Sequence, residues 1–216
     1  MNATFLRTNR RTLCVQIHPE KGLIIRAPRN LSDSRIEKFL KEKSTWINKR
    51  LDQIKKQKAQ IPAHSFTPGE HFPYLGIPTI PPVHTRTKII EWYKMKALAH
   101  LYERTNELKT ILASKTGAYL PATSIRIRSY RSRWGTCSAH STHRIFGSAC
   151  RDNTITYNWK IIMAPPEIID YLVSHELTHL LHKNHGRCFY ATLSLLDPNY
   201  KAHQKWLRLN SAMLTV

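Results

Sequence analysis

A chain of 216 residues holds one domain or a domain with a modest appendage, and 41% hydrophobic residues with 5 Trp, 9 Tyr and 6 Phe give it a core to bury, which excludes a multidomain machine and wholesale disorder. Lys and Arg number 34 against 14 Asp and Glu, a formal net charge of +20 that attracts polyanions at long range. Four cysteines, at 14, 137, 150 and 188, are too sparse for a disulfide scaffold, and no run of about 18 apolar residues occurs, so the expectation is a soluble, cytoplasmic protein without a membrane span.

Met1 to Arg11 is basic but lacks the apolar stretch of a secretion signal. Leu13, Val15 and Ile17 then alternate with polar neighbours, and Gly22 leads into Leu23, Ile24 and Ile25, which predicts an N-terminal β-hairpin. Ser34 and Glu37 form a capping box, and Ile36, Leu40, Ile47, Leu51 and Ile54 recur at helical spacing, predicting one long helix from Ser34 to Lys58. Six of the 12 prolines fall between residues 61 and 82, a density that excludes helix and marks a linker or extended loop. The expected organisation is therefore a basic N-terminal hairpin and helix (residues 1–60), a Pro-rich linker or loop (61–86) and a second domain (87–216).

Within that domain, Ile89, Tyr93, Leu101 and Leu108 predict a second long helix that Gly117 stops. Short strands are expected around Ile125, from Trp134 to Cys137, from Arg144 to Phe146 and from Thr154 to Tyr157. A helix from Pro166 follows, and two shorter ones, Cys188 to Leu196 and Tyr200 to Leu209, flank the break at Asp197-Pro198-Asn199. The fold class is α+β.

The chemistry concentrates in His175-Glu176-Leu177-Thr178-His179, an HExxH motif inside the apolar helical stretch from Ile168 to Leu181. Histidines four apart share one helix face, so both imidazoles reach one Zn²⁺ ion while the Glu between them approaches the metal-bound water. Glu176 falls within the apolar stripe, and a carboxylate facing a core is costly unless something uses it. The competing reading is a pair of core histidines. A catalytic zinc needs a third protein ligand, for which the candidates are His182 and His185. His182 on a continuing helix lies roughly 10.5 Å along the axis from His175 and only lengthens a line of donors. Asn184-His185-Gly186 can reverse the chain, which favours His185 and leaves His182 in the pocket wall.

These residues, together with Ala164-Pro165-Pro166-Glu167-Ile168-Ile169-Asp170-Tyr171, Arg133-Trp134-Gly135-Thr136-Cys137-Ser138, Asn158-Trp159, Phe189 and Trp206-Leu207, resemble the YgjP-like metallopeptidase family. The chain is similar, more distantly, to the SprT-like and Wss1-like metallopeptidases. The resemblance implies a zincin-like metallopeptidase domain with a small antiparallel sheet, an HExxH active-site helix, one Zn²⁺ on His175, His179 and His185, and Glu176 as general base. Zincin sites align an extended substrate along a sheet edge beside the metal, which makes Arg133 and Trp134 candidate contacts for a peptide or protein substrate. The alternative is that Trp134 packs in the core and that Arg133 pairs with Glu167 or Asp170. Cys137, Cys150 and Cys188 lack CxxC spacing and read as free thiols.

The charge is uneven. Fifteen of the 34 basic residues lie in the first 60, against five acids, so half of the surplus sits there and nucleic acid is a candidate partner of that part. The function expected is a zinc-dependent metallopeptidase. Its rivals are a metal-dependent phosphohydrolase acting on nucleoside triphosphates, which Arg126, Arg128, Arg131 and Arg133 would suit, and a basic nucleic-acid-associated protein with a non-catalytic metal site. Oligomeric state is not written in the sequence.

Overall fold

The computed structural model of the chain describes residues 3–18, 22–59, 63–130, 133–138 and 153–216, and the chain divides into two compact units, Met1–Ile61 and Pro62–Val216. In the first unit, β1 (Ala3–Thr8), β2 (Cys14–His18) and β3 (Gly22–Pro28) form a sheet in the order β1-β3-β2. β2 pairs antiparallel with β3, Gln16 standing opposite Ile24, and β1 adds a parallel edge with Phe5 opposite Ile25. A three-stranded mixed sheet thus stands where the sequence suggested a hairpin. Alternation along the central β3 sends Ile25 and Ala27 to one face, where they bury with Ile36 of α1 (Asp33–Glu42).

The single helix expected from Ser34 to Lys58 is two, α1 and α2 (Ser44–Ala59). They break at Lys43, whose backbone leaves helical geometry at φ −93° and ψ 2°. The Ser44 hydroxyl donates to the Lys41 carbonyl at 2.7 Å, and such local side-chain bonds compete with helix continuation. The capping box does not form either: α1 starts at Asp33 behind Ser32, without a side-chain cap, and the Ser32 and Ser34 hydroxyls bond each other at 3.3 Å.

In the second unit, part of the proline-dense segment is folded. β4 (Phe72–Tyr74) and β5 (Ile77–Thr79) pair antiparallel, with Pro73 opposite Pro78. Phe72 is buried in the main core, and the Leu75 and Gly76 amides donate to the Ile162 and Met163 carbonyls at 2.8 and 3.2 Å. The Tyr93 hydroxyl donates to the Pro73 carbonyl at 2.6 Å. These bonds tie the turn and the first strand to the main core, so residues 72–79 belong to the unit and are not a connector.

α3 (Arg86–Thr116) is capped by Thr85, which accepts the Lys88 amide, and stopped by Gly117 in the left-handed region at φ 65°. Its buried stripe of Ile89, Tyr93, Ala97, Leu101, Leu108 and Leu112 forms one wall of the core. β6 (Ser124–Arg128), β7 (Gly135–Ser138) and β8 (Thr154–Asn158) form a sheet in the order β6-β8-β7. β6 runs parallel to β8 and β7 antiparallel, so this sheet is mixed and not the antiparallel one expected. A 3₁₀ turn, Trp159–Met163, leads to α4 (Pro166–Thr178), followed by α5 (Arg187–Leu196) and α6 (Tyr200–Asn210).

Asp197 makes the break between the last two helices, accepting the Asn199 amide at 3.0 Å and facing His203 Nδ1 at 2.8 Å. Asp170 on α4 receives Arg104 of α3 through both oxygens, at 2.6 and 2.9 Å, a two-point bond that ties these helices together and leaves Asp170 engaged away from Arg133. The strand expected from Arg144 to Phe146, with Arg131 and Cys150, lies outside the described residues. Among the described residues no helix is long and apolar enough to cross a membrane.

Candidate metal centre

Proline suits the first turn of α4, where an amide would have no intrahelical partner. From there Ile168, Ile169, Leu172, Val173 and Leu177 bury one face of the helix, leaving His175 at its edge. The helix ends at Thr178, earlier than the Leu181 that periodicity suggested, with His179 as its C-cap. The amides of Leu180 and Leu181 bond carbonyls three residues back, Leu177 and Thr178, tightening the last turn.

That early stop decides the fate of the neighbouring histidines. His182 is no longer on the helix, and its Nε2 lies 3.0 Å from the Thr192 hydroxyl on α5. Its carbonyl accepts a hydrogen bond from His179 Nδ1 at 3.0 Å, which fixes the tautomer and leaves Nε2 of His179 with a free lone pair. The chain then turns back at Asn184-His185-Gly186, and His185 Nε2 comes within 3.1 Å of His175 Nε2. One donor atom from each of His175, His179 and His185 lies within 4.8 Å of the others.

Phe189, fully buried on α5, backs all three rings at centroid distances of 5.0, 4.8 and 4.6 Å. Sequence reasoning assigned it no such role. Burial, followed by the neighbouring His179 and His185 charges, pushes His175 down to about 4, and burial is the first cause that lowers His179. Both are neutral at pH 7, the state a metal ligand needs.

The donor set fits a tetrahedral metal. Bonds of about 2.05 Å from nitrogen to zinc set nitrogens roughly 3.3 Å apart, close to the separation of the two Nε2 atoms. Glu176 stands beside these imidazoles with only 4% of its surface exposed, and its Oε2 is buried without a hydrogen-bond partner among the described residues. Burial pushes its carboxyl up to about 8, so on its own it is mostly protonated at pH 7, and a cation held by the neighbouring imidazoles would return it to the carboxylate that a base must be. It occupies the space above Gly135 of β7, where a Cβ would lie 2.5 Å from Oε1 and 2.8 Å from Cδ. A glycine inside a strand signals such a close approach, and Gly135 could have been read that way.

These groups floor a cleft of about 490 Å³ whose rim includes Arg133, Cys137 and Lys183. Arg133 is exposed there, as suits a substrate contact. Trp134, expected to contact substrate too, is half-buried and packs against the main core, because it precedes β7 and its ring finds an apolar neighbourhood. Burial first, then the Glu176 charge, pushes the Cys137 thiol up to about 12, so it is protonated at neutral pH. The orphaned carboxyl oxygen, the clustered imidazoles and the open cleft together suit hydrolysis assisted by a metal ion.

The model of the family described as YgjP-like, metallopeptidase domain, matches the chain over residues 11–80 and 78–210. Comparison with curated proteins and with solved structures finds no match.

Proposed function

Because the chain belongs to the YgjP-like metallopeptidase family, we propose that it is a zinc-dependent peptidase in which His175, His179 and His185 hold the ion and Glu176 is the general base. The observation that carries the reading is the buried, unpartnered Oε2 of Glu176 beside three imidazoles whose donor atoms lie within 4.8 Å of one another. A purely structural zinc has no use for a carboxylate kept from water and from donors. A zinc ion bound there supplies Lewis acidity, polarising the peptide carbonyl and making water a better acid.

Glu176 accepts the water proton at Oε2 and returns it to the leaving amine. Gly135 sets the position of that carboxylate by lacking a side chain, His182 orients His179 through its carbonyl, and Phe189 keeps water from the back of the rings. The domain is read as zincin-like, with α4 as its active-site helix, and β7, whose outer edge has no partner strand among the described residues, lies beside the cleft.

Zinc-loaded protein should cleave casein-derived peptides, lose that activity to a chelator and regain it on zinc addition. Hydrolysis unaffected by chelation would refute the reading. A second reading has one observation in its favour: Arg133 and Lys183 at the rim would suit the phosphates of a nucleoside triphosphate. Parallel incubation with nucleoside triphosphates distinguishes the two, since release of phosphate or pyrophosphate without peptide cleavage would favour the phosphohydrolase.

Gly135→Ala gives a separate check on the base. Its new Cβ would force Glu176 away by about an ångström, and misplacement of that size costs on the order of 10²-fold in rate. Zinc stoichiometry should be unchanged, since no ligand moves directly. Peptide turnover by the zinc-loaded variant at the wild-type rate would show that the carboxylate position does not matter.

A further inference from the structure

The first unit holds a second concavity whose chemistry the peptidase reading does not use. It is a cleft of about 390 Å³ between the sheet and α2, lined by Gln16, Ile17, Ile24, Trp46 and Arg50. Ile24 is buried and Trp46 is 50% exposed, so the cleft has an apolar floor and an open indole wall. At about 100° per residue, Trp46, Lys49, Arg50 and Gln53 share one face of α2, and Asp52, the helix's one acid, points elsewhere. The buried Ile47 and Ile54 take a different face, which leaves the Trp46 face free of core duty.

Both arginines near the cleft are held in place. Arg50 donates to Gln53 Oε1 at 3.2 Å, and Arg26, on the same sheet face as Ile24, donates to Gln16 Oε1. The first 60 residues of the sequence hold 15 basic side chains against five acidic ones. An exposed tryptophan flanked by fixed guanidiniums in a strongly positive setting matches what single-stranded nucleic acids require: a stacking platform for a base and cations for the phosphates on either side. A duplex keeps its bases stacked internally and offers none to the indole, and an acidic peptide supplies the charge without a flat ring.

We propose that this cleft binds single-stranded nucleic acid, with one base stacked on Trp46 and its flanking phosphates on Arg50 and Arg26. The peptidase reading is not needed for it, so the two stand or fall separately.

The test uses the full chain and a fluorescent oligo-dT strand of about 20 nucleotides, followed by anisotropy across a salt series. Binding should weaken steeply as salt rises, with a slope set by the phosphates engaged, and should quench indole fluorescence. Trp46→Ala should weaken binding by roughly 5- to 100-fold with the salt slope unchanged, whereas Arg50→Ala should reduce the slope by about 0.7. Trp46→Phe keeps an aromatic platform and a filled surface, so it should retain most affinity while losing the quench, which guards against a folding defect in the alanine variant. The proposal is overturned if oligo-dT does not bind, if Trp46→Ala binds as tightly as wild type, or if a duplex or polyglutamate of equal charge binds at least as well. A strand of oligo-U run alongside reports whether the sugar matters, and a cleft that reads base and phosphate should take both.

Discussion

Glu176→Gln should bind zinc as the wild type does and lose peptide hydrolysis by roughly 10²- to 10⁴-fold, the contribution of a positioned proton acceptor. The amide preserves the volume that packs over Gly135, so the surrounding structure has no reason to shift. What changes is the oxygen that is buried without a partner in the wild type: an amide nitrogen or carbonyl there cannot take up the proton. The measurement pairs zinc content, by atomic absorption, with initial rates on a fluorogenic peptide. A zinc-replete variant that turns over at the wild-type rate would remove Glu176 from the mechanism.

The next largest effect separates two histidines that are three residues apart. His185→Ala should fail to retain stoichiometric zinc against a competing chelator, since only two protein donors remain. His182→Ala should retain it with affinity reduced by about 10- to 100-fold at most, because its imidazole bonds Thr192 and its contribution to His179 comes from the main chain. Circular dichroism of both variants checks that they are equally folded. The reverse ranking would overturn the assignment of His185 and the chain reversal behind it.

The early end of α4 shows what periodicity could and could not reveal. Ile168 to Leu177 repeat at helical spacing, so the helix and its start at Pro166 were legible, but Leu180 and Leu181 continue the apolar pattern after the backbone has already turned. Hydrophobic spacing reports packing against the core, and Leu180 and Leu181, half-buried in the turn, pack there too. The end of α3 was legible because Gly117, in the left-handed region, is a chemical stop signal.

The strands that were missed share a cause in pairing that is distant along the chain. β1 joins β3 in parallel, so nothing in Ala3–Thr8 itself announces its partner. β4 and β5 lie in a proline-dense stretch that reads as loop, and they are held by carbonyls of residues 162 and 163, nearly ninety positions away in sequence. In the site, residue types announced the candidate ligands and base. The supports of those groups, a missing Cβ at Gly135 and the ring of Phe189, became visible only when β7 and α5 were brought against α4.

The bond from His179 to the carbonyl of His182 bears on how this centre tolerates genetic change. No codon substitution can delete a carbonyl, so the orientation of His179 is inherited with the length and shape of the turn and not with any one side chain. Saturation mutagenesis should therefore find position 182 permissive for His179 and the 180–184 segment intolerant of insertion or deletion. His175 lies at the other extreme, its Nδ1 buried without a partner among the described residues and its ring steadied by Phe189 and Tyr171. Its geometry is exposed to substitution at Tyr171, whereas a change at Phe189 reaches His179 as well, so drift confined to the first histidine should enter through Tyr171.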